Sequence, residues 1–191
     1  MGGVLIGYRW KEMLTDDFGV SVDRAEAIGR ALFEDPIWRD FDAGIIRAED
    51  VLEHYTRLYP DDAAVIQRSF HEGELMSVPR ERVWEKVTQL KACGYNTYVL
   101  SNYSKYLFDK HTRDVPFETM IDGTVVSYQV KVIKPDPAIY RYMLDKYGLV
   151  PEETLFYDDL EINVRAAQEL GINAIRITSE EMLLDELSKL V

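Results

Sequence analysis

Three short polar clusters in this 191-residue chain follow or interrupt apolar runs, and each carries a different part of one chemistry. Ser101-Asn102 comes directly after Thr97-Tyr98-Val99-Leu100. Asp158-Asp159 comes directly after Thr154-Leu155-Phe156-Tyr157. Lys134 lies in Val132-Ile133-Lys134-Pro135-Asp136-Pro137, where two prolines fix φ just ahead of a helix start. A hydroxyl with neighbouring backbone amides can hold the oxygens of an anion, a cation can balance its charge, and paired carboxylates can hold a divalent cation such as Mg²⁺. Together these are the requirements of phosphoryl transfer. Singly, each has a plain structural account. Asp after a strand caps a helix, Ser-Asn is ordinary turn chemistry, and a lone Lys before Pro is usually solvated. Their joint occurrence at strand ends favours the chemical reading.

The elements that must position these clusters alternate. After Pro79 the pattern predicts helices over 82–92, 139–147, 164–170 and 182–190, with strands at 97–100, 154–157 and 174–177. Val83, Val87 and Leu90 give the first helix its apolar face, and Gly94, Gly148 and Gly171 close three of the helices. Such alternation implies right-handed crossovers and an α/β fold with a doubly wound parallel sheet. In that sheet ligands gather at the carboxyl edge of the strands, where all three clusters fall. Before Pro79 the texture is purely helical. Apolar residues recur as Ala25-Ile28-Leu32-Phe33, Val51-Leu52-Tyr55-Leu58 and Val65-Ile66-Phe70, separated by the turn signals Asp35-Pro36, Asp42-Ala43-Gly44 and Pro60-Asp61-Asp62. Ser21 and Arg47 read as helix starts. The expected division is an α/β core from 1–10 and 80–191, with a small α-helical bundle over 11–79.

Composition narrows the partners. Lys and Arg number 22 against 34 Asp and Glu, for a net charge of −12, which opposes nucleic acid and anionic membranes. Any phosphate site is therefore a local arrangement working against the global field. Hydrophobic residues at 47% and charged residues at 29% describe a chain able to bury a core without staples. Cys93 is the only cysteine, so an intramolecular disulfide and a cysteine metal cluster are both excluded. No apolar run reaches the length of a membrane span, and Met1-Gly2-Gly3-Val4 lacks the basic start of a secretion signal. A cytoplasmic location and a monomer or homodimer are expected.

The order strand-Ser-Asn, Lys-Pro-Asp, then strand-Asp-Asp-x-x-x-Asn resembles motifs II, III and IV of the haloacid dehalogenase superfamily. The stretch from Leu155-Phe156-Tyr157-Asp158-Asp159 through Asn163-Val164-Arg165-Ala166-Ala167 is especially similar, and Trp38 and Gly44 keep a Trp-x5-Gly spacing typical of the branch with a helical cap. The resemblance implies a Rossmann-like core, a cap over 11–79, and Mg²⁺-dependent hydrolysis of a small phosphorylated metabolite such as a sugar phosphate. It implies that Ser101 and the Asn102 amide bind phosphate and that Lys134 balances its charge. Mg²⁺ would be held by the Gly2 carbonyl and by Asp159 with help from Asp158. Motif I departs from the pattern. Aligned on Gly3-Val4, the nucleophilic Asp that forms an aspartyl-phosphate would stand immediately before Met1. Gly2 takes the position where many relatives carry an Asp that acts as acid and base, although Gly or Asn occurs there in some phosphatases of this branch. The strand leading into motif I lies mid-sheet in this fold, so without it both neighbours keep unpaired backbone groups. A natural start upstream, restoring that Asp, is expected, and the chain as written is expected to be inactive.

Tyr8, Arg9, Trp10, Trp38 and Arg39 could line a substrate pocket, although packing accounts more simply for both tryptophans. His54, His71 and His111 receive no role. Two other readings stand beside phosphate hydrolysis. A 2-haloacid dehalogenase is disfavoured by Gly2, where such enzymes usually carry an aromatic residue. A catalytically inactive binding protein of the same fold is the non-enzymatic alternative. A phosphorylation-receiver domain is excluded by the order Ser, Lys, Asp-Asp.

Overall fold

The computed structural model describes residues 1–191. The chain opens with a tight turn in which the Met1 carbonyl accepts hydrogen bonds from the amides of Val4, Leu5 and Ile6. Strand β1 (Ile6–Tyr8) leads into helix α1 (Trp10–Glu12), which runs on through a π turn at Met13–Asp17. Helices α2 (Val22–Phe33), α3 (Pro36–Asp42), α4 (Ala48–Leu58) and α5 (Ala63–His71) follow, and then β2 (Ser77–Pro79). The expected apolar faces are buried: Ala25, Ile28 and Leu32 on α2, Val51 and Tyr55 on α4, Ile66 and Phe70 on α5. Helix α3 occupies a stretch that reads in sequence as turns. Asp35 caps it by accepting from the Ile37 amide at 2.9 Å, and Pro36 at its first position needs no amide partner.

The second half alternates. It runs α6 (Glu81–Ala92), β3 (Tyr98–Ser101), α7 (Lys105–His111), α8 (Phe117–Met120), β4 (Gly123–Val126), α9 (Ser127–Val130) and α10 (Pro137–Tyr147). The last elements are β5 (Leu155–Asp158), α11 (Glu161–Gln168), β6 (Asn173–Arg176) and α12 (Glu180–Ser188). All the expected strands and helices are present within a few residues of their expected ends. Three strands carry no readable signal: β1 has Gly7 at its centre, β2 ends in Pro79 and β4 opens on Gly123-Thr124, so none presents the unbroken apolar run that marks β3 and β5.

Pairing is parallel where the alternation demands it. Strand β3 pairs with β4 from Tyr98↔Gly123 to Ser101↔Val126, and β5 pairs with β6 from Leu155↔Asn173 to Asp158↔Arg176. The two ladders are not joined to each other by hydrogen bonds, so the expected continuous sheet is two separate parallel pairs. Between them lies a mostly apolar cavity of about 710 Å³, lined by Val99, Leu100, Phe156, Tyr157, Leu183 and Met1 among others. No strand of the chain enters this gap; β1 pairs antiparallel with β2, Tyr8 opposite Ser77. The expected helical span 11–79 therefore closes on a strand. That strand ties the helical segment to the N-terminal one, and one hydrophobic core runs through both, from Ile6 and Tyr55 to Val83 and Leu107.

Both β3 and β5 turn one edge of unpaired amides and carbonyls toward the cavity. Amide hydrogen exchange should therefore alternate along Tyr98–Ser101 and Leu155–Asp158, slow for groups in the ladder and much faster for those facing the gap. Uniform protection along either strand, read by NMR, would show that the inner edges are covered.

Candidate active site

Ser101, Lys134 and Asp158 meet at the carboxyl ends of β3 and β5, all buried at 2 to 5% exposure. Asp158 is the last residue of β5, and Lys134 comes from the loop between α9 and α10. The Lys134 ammonium donates to Asp158 Oδ2 at 2.5 Å and to the Leu100 carbonyl at 2.9 Å. The other Asp158 oxygen accepts from the Leu160 amide at 3.0 Å and from Asn163 Nδ2 at 2.8 Å. Burial alone would raise the Asp158 carboxyl, but Lys134 and its hydrogen bond, with Asn163, hold it below the usual carboxylate range. Asn102 has a specific task. Its Nδ2 donates to the Lys134 carbonyl at 2.9 Å, and its Oδ1 accepts from the Lys134 amide at 2.7 Å. Its side chain thus locks the lysine loop, and its backbone amide is left for a ligand. The Ser101 hydroxyl makes only a long contact of 3.5 Å to the Asn102 carbonyl.

Asp159 is the free carboxylate. It packs against Gly3, where a Cβ would lie 2.6 Å from its Oδ2, so Gly3 is required there both for this approach and for its φ of +72°. Burial and then the charge of Asp158 push Asp159 upward. The Met1 amine is buried in the same place. Burial and then Lys134 lower it to about 5, against the opposing pull of Asp158 and Asp159. Arg80 pins this segment by donating to the Gly3 carbonyl at 2.6 Å and to that of Val4 at 3.0 Å, and Trp84 Nε1 donates to the Leu5 carbonyl at 2.7 Å. Hydrogen bonds join Asn102, Lys134 and Asp158, Ser101 ends β3 beside Asn102, Asp159 lies against Gly3, and Gly2 packs against Tyr8. One ammonium against two carboxylates leaves the cluster with net negative charge, a setting that attracts a cation and repels a bare phosphate.

Beside the site stand Tyr8, one of the expected pocket residues, and three residues given no role in the sequence reading, Tyr103, His111 and Asp42. Tyr8 Oη donates to Tyr103 Oη at 2.5 Å, Tyr103 Oη lies 2.8 Å from His111 Nδ1, and His111 Nε2 lies 2.8 Å from the Gly73 carbonyl. Tyr8 is 45% exposed as a residue, while burial of its hydroxyl raises that group above the ordinary tyrosine range. Asp42, at the end of α3, accepts from the Ser104 amide at 3.0 Å, and burial pushes its carboxyl to about 7. The remaining pocket candidates are structural. Trp10 fills the space above Gly29, where a Cβ would meet its ring at 2.5 Å, and Trp38 packs edge-on against Phe33, Phe41 and Phe70. Arg9 pairs with Asp17 at 2.6 Å, and Arg39 is exposed. Gly44 lets the helical segment approach α9, since a Cβ would meet Lys131 Nζ at 2.8 Å and the Tyr128 Cβ at 2.9 Å.

The profile of the haloacid dehalogenase-like hydrolases matches residues 44–177. The chain belongs to this family. Among curated relatives, mouse acyl-CoA dehydrogenase family member 10 is 30% identical over 166 residues, 81% of this chain but only 15% of that much longer protein. The sesquiterpene phosphatase astK of Aspergillus oryzae is 27% identical over 192 residues, covering 100% of this chain and 93% of its own. A haloacid-dehalogenase-family enzyme of Bacteroides thetaiotaomicron, crystallised with magnesium and inorganic phosphate, shares the fold with a TM-score of 0.72 at 22% identity, covering 93% of this chain and 91% of that one. Haloacid dehalogenases are also among the relatives, so membership establishes a hydrolase family containing both chemistries. No helix is long and apolar enough to cross a membrane.

Replacing Lys134 with Met would strand a buried, hydrogen-bonded carboxylate, and the expected cost is about 3–5 kcal/mol. Adding Asp158→Asn should recover much of that loss, because the amide oxygen still accepts from Leu160 and Asn163 without carrying charge. Urea unfolding of both variants checks this. Equal destabilisation by the single and double changes would mean that the two charges are not coupled.

Proposed function

We propose that these residues form the phosphate- and metal-binding half of a Mg²⁺-dependent phosphatase acting on small phosphate esters, sugar phosphates being the leading class. The carrying observation is that Met1 is buried at 6% exposure beside the cluster in which Lys134 bonds Asp158 and Asp159 packs against Gly3. A residue joined to the Met1 nitrogen would place its side chain at the centre of the cluster. A carboxylate there would sit in line for attack on phosphorus and form an aspartyl-phosphate. Ser101 and the Asn102 amide would take two phosphate oxygens, and Lys134 would balance their charge. The helical segment 11–79 would act as the cap that selects the ester.

The donor set suits Mg²⁺. It consists of hard oxygens, from Asp159 and the Gly2 carbonyl, and Mg²⁺ keeps several waters and takes few protein ligands. Asp159 is held as an unneutralised carboxylate beside Asp158, which a divalent cation would relieve. Asp158, with both oxygens engaged, would act chiefly by holding Lys134 and tuning Asp159. When bound, the ion would polarise the phosphoryl group and screen its charge from the two carboxylates. The relatives described as a sesquiterpene phosphatase and a D-ribitol-5-phosphate phosphatase support a phosphate ester as substrate.

None of the cluster's own groups is placed to attack. Ser101 has no basic partner, and Cys93 is exposed at the end of α6, on the amino side of β3. The 191-residue chain should therefore bind phosphate only together with Mg²⁺, and without turnover. A version carrying a strand-length apolar segment ending in Asp, fused to Met1, should hydrolyse sugar phosphates and aryl phosphates in the presence of Mg²⁺. In that version Asp159→Ala should abolish the metal-dependent rate, and Lys134→Ala should lower it by at least about 100-fold. Mg²⁺-dependent turnover by the unextended chain that survives repurification would show that the nucleophile lies elsewhere.

A further inference from the structure

The proposed displacement leaves a proton unaccounted for. As the carboxylate oxygen bonds to phosphorus, the ester P–O bond breaks and its electron pair goes to the leaving oxygen, which for an alkyl ester must be protonated. When water then attacks the acyl-phosphate, its proton must be removed. The described cluster cannot do either. Ser101 binds phosphate, Lys134 is held between Asp158 and the Leu100 carbonyl, and Asp158 is ionised and fully hydrogen-bonded.

One O–H group stands at the right place. A Cβ on Gly2 would lie 2.1 Å from Tyr8 Oη and 2.3 Å from its ring, so the tyrosine hydroxyl fills the space that any side chain at position 2 would need. Gly2 is two residues from the position assigned to the attacking carboxylate. Tyr8 is 45% exposed, and its hydroxyl begins an unbroken chain: 2.5 Å to Tyr103 Oη, 2.8 Å from there to His111 Nδ1, and 2.8 Å from His111 Nε2 to the Gly73 carbonyl. A carbonyl can only accept, so Nε2 carries a hydrogen and Nδ1 of the neutral ring accepts from Tyr103. Tyr103 in turn accepts from Tyr8, which leaves the Tyr8 oxygen able to accept from the cleft.

We propose that Tyr8, Tyr103 and His111 form a proton relay, with Tyr8 giving a proton to the leaving oxygen and later taking one from the attacking water; this rests on the phosphatase reading above. With His111 cationic, Nδ1–H donates to Tyr103, Tyr103 to Tyr8, and Tyr8 to the departing alkoxide. One proton enters the substrate and His111 becomes neutral. With His111 neutral the three bonds reverse, the water proton passes to Tyr8, and one proton returns to Nδ1. Each tyrosine is neutral before and after. The groups facing the relay are Asp42 and Asp159 around the tyrosines, and Lys110 and Glu74 around His111. A polar pocket of about 260 Å³ lined by His111, Lys110, Arg113, Glu74 and Asp114 offers exchange with solvent at the far end. Tyr8 touches the reacting atoms, whereas Tyr103 and His111 act through it.

Two measurements test the relay. In the 191-residue chain, inorganic phosphate with Mg²⁺ should move the His111 ring nitrogen-15 signals, and Tyr8→Phe should remove that response while phosphorus-31 spectra still report binding. Phosphate binding with no movement at His111, or equal movement in Tyr8→Phe, would overturn the relay alone. Absence of any phosphate binding would overturn both the phosphatase reading and the relay. In the Asp-extended chain, Tyr8→Phe and His111→Gln should slow alkyl phosphates by about 100-fold or more, and the loss should be at least tenfold smaller for p-nitrophenyl phosphate, whose leaving group needs no proton. Equal losses on both esters would assign these residues to packing.

Discussion

A buried ion pair between Lys134 and Asp158, at 2.5 Å and almost wholly removed from water, holds the site together. Two charges in such a place cost several kcal/mol each to desolvate, and the cost is offset only where every remaining donor and acceptor finds a partner. Here nearly all of them do. The ammonium also reaches the Leu100 carbonyl at the end of β3. Asp158 takes two further hydrogen bonds from the start of α11, and Asn102 clamps the lysine loop by its backbone. Tyr140 of α10 donates to the Asn163 carbonyl at 2.9 Å and extends the network to a fourth element. The pair therefore joins the end of one parallel ladder to the end of the other across a gap that no strand bridges.

That geometry explains why the remaining groups are poised as they are. With Asp158 neutralised by Lys134, Asp159 remains as a lone half-buried carboxylate against Gly3, ready for a cation. The glycines at 2 and 3 bring the backbone close to it, and Arg80 and Trp84 fix that backbone from behind. The helical segment closes over the same edge. Asp42 meets the Ser104 amide, Ser127 bonds the Asp42 carbonyl, and Lys131 reaches the Gly44 carbonyl at 2.5 Å.

Much of this was legible in the sequence, because the informative residues are polar groups stationed at the ends of apolar runs. Ser101, Lys134 and Asp158-Asp159 could be read that way, as could the helices whose buried faces repeat at the helical period. The strands β1, β2 and β4 could not, since Gly7, Pro79 and Gly123 interrupt or shorten their apolar runs. The task of the Asn102 side chain was hidden because its partner is the backbone of a loop 32 residues away. Tyr103 and His111 were hidden for a similar reason. Spaced eight residues apart across α7, they read as helix-packing residues until the fold brings Tyr8 to one end and the Gly73 carbonyl to the other. Trp38 keeps its family spacing and serves an aromatic cluster, in line with the packing role that its sequence context favoured.

The central claim is that the cluster around Lys134 and Asp158 serves a carboxylate joined to the Met1 nitrogen. It is tested most directly by trapping the covalent intermediate. The Asp-extended chain would be quenched in acid during turnover of a phosphate ester with Mg²⁺, digested, and its peptides weighed before and after hydroxylamine. The account predicts one hydroxylamine-sensitive phosphoryl group, on the Asp preceding Met1. A phosphoryl group on Ser101, or steady turnover with no adduct on that Asp under any quench, would contradict it.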